Sequence, residues 1–181
     1  VGPGLPLWTP KGTLLRNTLD EFVWELRESY GYEKVEIPHI TKKELYEKSG
    51  HWDKFKDELF RIKTREGHEF AMKPMNCPHH TQIYKSQMRS YKDLPIRYFE
   101  TTTVYRDEKT GELGGLTRVR SITQDDGHCF LREDQITREF EINLKIQQEL
   151  AEKVELKDYW IRLSLRDEKN KEAYLGDDAT W

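Results

Sequence analysis

Cysteine is almost missing from this chain. Only Cys77 and Cys129 occur in 181 residues, too few for a disulfide framework, so a reducing, cytoplasmic setting is the default expectation. Long apolar runs are missing as well. No stretch approaches the ~20 residues needed to cross a bilayer, and no secretory apolar core follows Val1. Neither sign of charge dominates: 35% of residues are charged, yet the formal net charge is only −3. That leaves no global nucleic-acid signature. RNA contact would need a local basic patch, for which Lys85, Arg89, Lys92 and Arg97 are candidates, with solvated surface charge as the alternative reading. Repeats, low-complexity tracts and evident linkers are absent too. What remains is one soluble domain, large enough to bury a core.

The patterns along the chain alternate between helix and strand. Pro10 to Tyr30 reads as a long amphipathic helix, with Thr9 as N-cap, Pro10 in the first turn and Gly31 at the C-terminal cap. Leu15, Leu19, Phe22, Val23, Leu26 and Tyr30 recur at helical spacing. Val35–Pro38 reads as a short edge strand. Thr41 with Glu44 suggests a capping box for a second helix ended by Gly50. Glu58–Lys63 and Glu69–Lys73 suggest a hairpin around Arg65-Glu66-Gly67. Pro78–Ser90 reads as a helix, Ile96–Arg106 and Leu116–Phe130 as long strands, Gln135–Val154 as a helix, and Tyr159–Leu165 as a last strand. The expected fold is α+β, an antiparallel sheet with helices packed on it.

Lys73 to His128 carries the most chemistry. It opens with Lys73-Pro74-Met75-Asn76-Cys77-Pro78 and closes with Arg118 through Thr123 and Gln124-Asp125-Asp126-Gly127-His128. Between them stand Tyr105-Arg106-Asp107-Glu108 and a loop holding Gly111, Gly114 and Gly115. Arg118, Arg120, Gln124, Asp126 and His128 all fall on even positions. On a strand they share one face and form a polar surface for a charged ligand. Arg106 offers a guanidinium fork that suits phosphate; cross-strand ion pairs on a wet face would account for the arginines equally well. Spacing alone gives no metal signal for Cys77 and His128, since neither C-x-x-C nor H-x-x-x-H occurs. A lone cysteine reads as a small buried apolar group and a lone strand histidine as structural. His79 and His80 are adjacent on a helix and so should face different ways. Cys129 should point through the sheet, away from His128, into the core.

Met75-Asn76-Cys77-Pro78, Gly50-His51-Trp52-Asp53, Tyr105-Arg106-Asp107-Glu108 and Gln124-Asp125-Asp126-Gly127-His128 together resemble the threonyl-tRNA synthetase family, a branch of the class II aminoacyl-tRNA synthetases. The likeness runs over essentially the whole chain. The pairing of Lys-Pro-Met-Asn-Cys-Pro with Gln-Asp-Asp-x-His is its most specific part, and Arg-x-Glu alone is shared across class II. The resemblance implies a class II antiparallel sheet flanked by helices. It also implies a reaction in two steps, ATP-dependent formation of threonyl-adenylate and transfer of threonine to the acceptor end of tRNA(Thr).

Further implications of the resemblance attach to single residues. Arg106 would hold the α-phosphate of ATP, Glu108 would contact the adenine amino group, and Arg118 would join the ATP pocket. Met75 would make a main-chain contact around the substrate. Gln124 and Asp126 would line the amino-acid pocket, with Asp126 recognising threonine. Cys77 and His128 would be two of three protein ligands of a catalytic Zn2+, and Mg2+ would accompany ATP. His51 would lie near the terminal ribose of tRNA and take part in catalysis; a surface histidine capping a turn after Gly50 is the competing reading. Gly12–Pro38 would be motif 1 and build a homodimer interface. His79 replaces a glycine common in the family; it would either tune the acceptor-end pocket or cap the helix, and capping is the expected role.

Motif 3, the third zinc ligand and the editing and anticodon-binding domains have no counterpart in residues 1–181. The chain is therefore expected to be part of a catalytic core holding motifs 1 and 2, and alone to show little threonine activation. Two alternatives stand beside this reading: a catalytically inactive synthetase-like protein that binds RNA or an amino acid, and an unrelated zinc hydrolase using Asp126 as its base.

Overall fold

The computed structural model describes residues 1–174 and 176–178. They form two compact units, residues 1–146 and 147 onward. The first unit contains two three-stranded sheets rather than the single sheet expected from sequence.

Helix α1, Pro10–Ser29, begins as its sequence demands. Thr9 accepts a hydrogen bond from the Gly12 N–H, and Gly31 (φ 76°) turns the chain out at the other end. That conformation is open to glycine at no cost. Strand β1 is only Glu33–Lys34 and pairs parallel with β5, Ile96–Tyr105. The expected strand at Val35–Pro38 does not continue. Ile37 gives its N–H to the Glu100 side chain instead of to a strand carbonyl (3.1 Å). Strand β6, Ser121–Phe130, lies antiparallel to β5 along its full length, with Glu100 opposite Asp126 and Tyr98 opposite His128.

β6 starts five residues later than the periodicity predicts. Residues 116–120 form a loop closed by a bridge between Gly114 and Arg118, and the Arg120 N–H is taken by the Gly4 carbonyl (2.8 Å). Arg118 and Arg120 therefore leave the polar face of the strand. The alternation survives for Gln124, Asp126 and His128.

The second sheet runs β2 (Ile40–Lys42), β4 (Glu69–Met72), β3 (Arg61–Lys63), and the β3–β4 hairpin turns at Gly67 as expected. Helix α2, Lys43–Lys48, has no side-chain cap, because Thr41 is drawn into β2. A single turn, α3, covers His51–Lys54. Tyr46, Trp52, Leu59 and Ala71 form the core of this half. The two sheets meet where the Tyr105 N–H bonds the Lys73 carbonyl (2.8 Å) and the Asp107 N–H bonds the Glu58 carbonyl (2.7 Å).

Helix α4, Cys77–Lys85, is shorter than the expected Pro78–Ser90. Ser90 instead caps a separate 3-10 turn, Tyr91–Asp93. Helix α5, Ile136–Lys153, follows the long apolar period. Cross-strand partners share a face, so Tyr98, Glu100, Thr102, Gln124, Asp126 and His128 look towards α4. The opposite face carries the Arg27–Asp125 and Arg97–Glu139 pairs, which fasten α1 and the start of α5.

In the second unit, Arg166, Glu168, Lys171 and Asp178 form a small ion-pair cluster. The expected strand Tyr159–Leu165 is not formed. Tyr159, Trp160, Ile161, Leu163 and Leu165 are exposed. A strand is held by its neighbour's backbone, and the second unit has no described strand to supply one.

Candidate active site

The seam between the two sheets gathers most of the residues singled out by sequence. Arg106 leaves the end of β5 and lays its guanidinium 5.3 Å from the centre of the Phe55 ring. One nitrogen approaches Met75 Sδ at 3.1 Å and another the Pro74 carbonyl at 3.5 Å. Arg106 forms no ion pair among the described residues, so its charge is free for an anion. Arg118, by contrast, is engaged by carboxylates. That side chain donates twice to Glu108 Oε2 (3.1 and 2.8 Å) and reaches Glu112 at 3.4 Å. Glu108 is 7% exposed and keeps Oε1 for another donor.

His51 stacks on Phe55 with ring centres 5.9 Å apart, so one aromatic ring carries His51 and Arg106 together. Its Nδ1 lies 3.1 Å from the Ser49 carbonyl. Ser49 Oγ, 2.9 Å from the same nitrogen, gives its own proton to the Leu45 carbonyl, and a carbonyl only accepts, so both contacts place the proton on Nδ1 and leave Nε2 a lone pair. Burial pushes the His51 pKa below its usual value, which keeps the ring neutral. The turn-capping reading and the site reading thus describe the same histidine.

On the sheet side, Asn76 donates to Asp126 Oδ2 (2.8 Å), which brings the Cys77 end of α4 to the polar face of β6. Burial, and then the Asp126 charge, push the Cys77 thiol up. Burial pushes His128 down, so it stays neutral as a metal ligand must. A thiol and a neutral imidazole make a donor pair that fits zinc rather than magnesium. Among the described residues no group of three or more histidine, cysteine or carboxylate side chains is placed to hold a metal. Cys129 points to the opposite face, where its sulfur lies 3.1 Å from the Tyr32 hydroxyl.

His79 corrects its expected role. It is buried rather than capping the helix, and its Nε2 lies 2.5 Å from Thr41 Oγ1. Burial, followed by the Lys73 and His80 charges, lowers its pKa from 6.5 to about 4, with Glu100 opposing. The fold therefore prefers the neutral ring. Its contribution is intact above pH 6.5 and is lost as pH falls towards 4, about 3 kcal/mol in all. In urea titrations, His79→Gln should lose less stability than the parent between pH 7 and 4.5; parallel profiles would contradict this assignment.

Of the four candidate patch residues, Lys85 and Lys92 stay exposed while the two arginines are engaged within the fold. Arg97 is held by Glu139, Arg89 donates to the Tyr98 hydroxyl (3.0 Å) and Lys92 lies over Tyr91. Sequence reasoning gave no role to Phe55, Lys73, Asn76, His80 or Glu100. Lys73 and Asn76 sat inside a quoted motif, but burial alone shows their importance. A cleft of about 790 Å³ lies along α1 and is lined by Trp8, Arg16, Thr103, Gln124 and Asp125 among others. It excludes Arg106, Cys77 and His128, so it is not where this chemistry is assembled.

A family model for the class II core domain of tRNA synthetases (G, H, P, S and T) matches residues 60–179. The chain belongs to the class II tRNA synthetase core family. It is 50% identical to the threonine–tRNA ligase of Cytophaga hutchinsonii over 183 residues, covering all of this chain and 28% of that protein. The threonine–tRNA ligase of Gloeobacter violaceus is also 50% identical, over 187 residues, with 30% of its length covered. The chain thus spans less than a third of these curated relatives. Among solved structures, the RNA-binding domain of threonyl-tRNA synthetase from Cryptosporidium parvum superposes with a TM-score of 0.81 at 35% identity, over 84% of this chain and 38% of that one. A prolyl-tRNA synthetase from Giardia lamblia in complex with prolyl-adenylate shares the fold at 22% identity and TM-score 0.74, over 82% of this chain and 31% of that one. The class II fold expected from sequence is therefore shown, in the α+β form.

Proposed function

We propose that residues 1–181 form the motif 1 and motif 2 portion of a threonine–tRNA ligase catalytic domain acting in the cytoplasm. The observation that carries this reading is the seam. An unpaired arginine and a base-competent histidine share Phe55, beside a strand face bearing Gln124, Asp126 and His128. In the first step the threonine carboxylate attacks the α-phosphorus of ATP and pyrophosphate leaves. Arg106 holds the α-phosphate and offsets the charge that builds on it. Glu108, braced by Arg118, accepts from the adenine amino group through Oε1. Mg2+ accompanies the ATP phosphates. Alignment of the two reactants supplies much of the acceleration, ~7–11 kcal/mol for a well-held pair.

Met75, Gln124 and Asp126 orient threonine, Asp126 being itself oriented by Asn76. Cys77 and His128 would hold Zn2+, which when bound offers open positions suited to the amino and hydroxyl groups of threonine. In the second step a ribose hydroxyl at the 3′ end of tRNA(Thr) attacks the carbonyl of threonyl-adenylate, the mixed anhydride breaks and AMP leaves, and the bare Nε2 of His51 is the nearby acceptor for the hydroxyl proton. Helix α1 leaves Leu14, Leu15, Leu19 and Trp24 exposed around its circumference, and a homodimer through motif 1 would cover part of that apolar surface.

ATP–pyrophosphate exchange by the full-length protein tests the reading. Threonine should be preferred to valine by roughly 10⁴-fold or more, because valine cannot pair the groups built for a hydroxyl. Serine, which lacks only a methyl, should be disfavoured by ~10–200-fold. RNA binding with no exchange for any amino acid would favour the inactive binding protein instead.

A further inference from the structure

Behind Cys77 and His128 lies a buried polar chain that none of the roles above employs. Lys73 and His80 are fully buried and Glu100 is 5% exposed. His128 Nδ1 sits 2.8 Å from His80 Nδ1, with the rings edge-on. A hydrogen bond between two imidazole nitrogens needs one N–H and one lone pair, so the two rings cannot choose their tautomers independently.

The far nitrogen of His80 makes the choice. His80 Nε2 faces Glu100 Oε2 at 3.9 Å, and both atoms are buried without any hydrogen-bond partner. That distance is too long for a hydrogen bond. The electrostatics still discriminate, since an N–H is stabilised beside a buried carboxylate and a lone pair is repelled. Glu100 itself is fixed. Its Oε1 accepts from the Ile37 N–H at 3.1 Å, and Lys73 Nζ, which donates to Thr102 at 2.8 Å, stands 3.9 Å from Oε2.

Each link then sets the next. Glu100 selects the Nε2–H form of His80, which leaves the lone pair of His80 on Nδ1. His128 must donate to it from its own Nδ1, and its Nε2 is left bare. We infer that Glu100 and His80 are positioning residues that hold His128 in the tautomer whose Nε2 can bind a metal. The inference rests on the reading of Cys77 and His128 as zinc ligands, although its tautomer half can be measured in metal-free protein. Losing the group that engages the outer N–H of a metal-bound imidazole typically lowers metal affinity ~10–100-fold.

Two measurements on the full-length protein decide the matter. Long-range proton–nitrogen correlation of the imidazoles in zinc-free protein should show His128 protonated at Nδ1 and His80 at Nε2; protonation of His128 at Nε2 overturns the proposal. Zinc affinity, read by competition with a chromophoric chelator, should fall ~10–100-fold in His80→Leu. His80→Asn keeps an acceptor near the lost Nδ1 and should recover most of that fall. Glu100→Gln should also weaken zinc, because its amide N–H turns the chain of donors around. Thermal unfolding of each variant guards against a simple loss of fold, and the tautomer reading needs no variant at all. Full zinc affinity in folded His80→Leu overturns the positioning role and leaves the metal reading standing. A parent protein that binds no zinc overturns both.

Discussion

Replacing Arg106 by alanine should lower threonine-dependent ATP–pyrophosphate exchange in the full-length protein by about 10²–10³-fold, with the protein still folded. That is the effect of deleting one preorganised group aimed at developing charge. The expectation follows from where the guanidinium is held. Phe55 supports its face and Met75 and Pro74 touch its edge, so no partner charge must be displaced before an anion binds. Arg106→Lys keeps the charge but loses the two-pronged geometry and the flat stacking surface, and should recover only part of the rate. Arg118→Ala offers the contrast. Its guanidinium already serves Glu108 and Glu112, so its loss should act mainly through ATP affinity. An Arg106→Ala enzyme with near-parental exchange would remove Arg106 from the phosphate role.

The largest loss of stability should come from Arg97→Ala, on the opposite face of the sheet. Two of the three guanidinium nitrogens of Arg97, Nε and Nη2, meet the Glu139 carboxylate at 2.5 Å, and Glu139 is 2% exposed. The contact raises the Arg97 pKa further. Removing one partner strands the other charge in a dry setting, which typically costs 3–5 kcal/mol. The double variant Arg97→Met, Glu139→Leu removes both charges and should recover most of that loss. Chemical denaturation of the three proteins gives the answer directly. If the single variant loses less than ~1 kcal/mol, water reaches the pair and the site is not dry.

How much of this was legible in the sequence depends on whether the signal was local. Helix α1 was readable because Thr9, Pro10 and Gly31 act on their own neighbours. So was the face shared by Gln124, Asp126 and His128, since alternation is a property of any strand. The arginines at 118 and 120 were misplaced because a distant residue, Gly4, intercepts the backbone where the strand would have begun. Val35–Pro38 failed for the same kind of reason, a side chain from β5 taking a backbone donor. Tyr159–Leu165 carries strand-like residues, but composition cannot supply a neighbour. Phe55 and Glu100 were invisible as site residues because an aromatic in a helical turn and a glutamate in a strand look ordinary until burial and contacts are known. His79 and His80 were rightly expected to face apart, and they do, one to Thr41 and one to His128.

The unbroken pairing of β6 with β5 has a consequence for how this part of the molecule can change over generations. From Ser121 to Phe130 every residue has a fixed partner, and the two sides of the strand do unrelated jobs. A single substitution at Gln124 or Asp126 alters the side facing α4 and leaves the α1 side alone. One added or deleted residue exchanges the two sides: Asp125 would turn towards α4, and Asp126 towards Arg27. Lineages descended from this protein are thus free to vary the spelling of the strand but not its length, and their insertions should accumulate in the glycine-bearing loop before it.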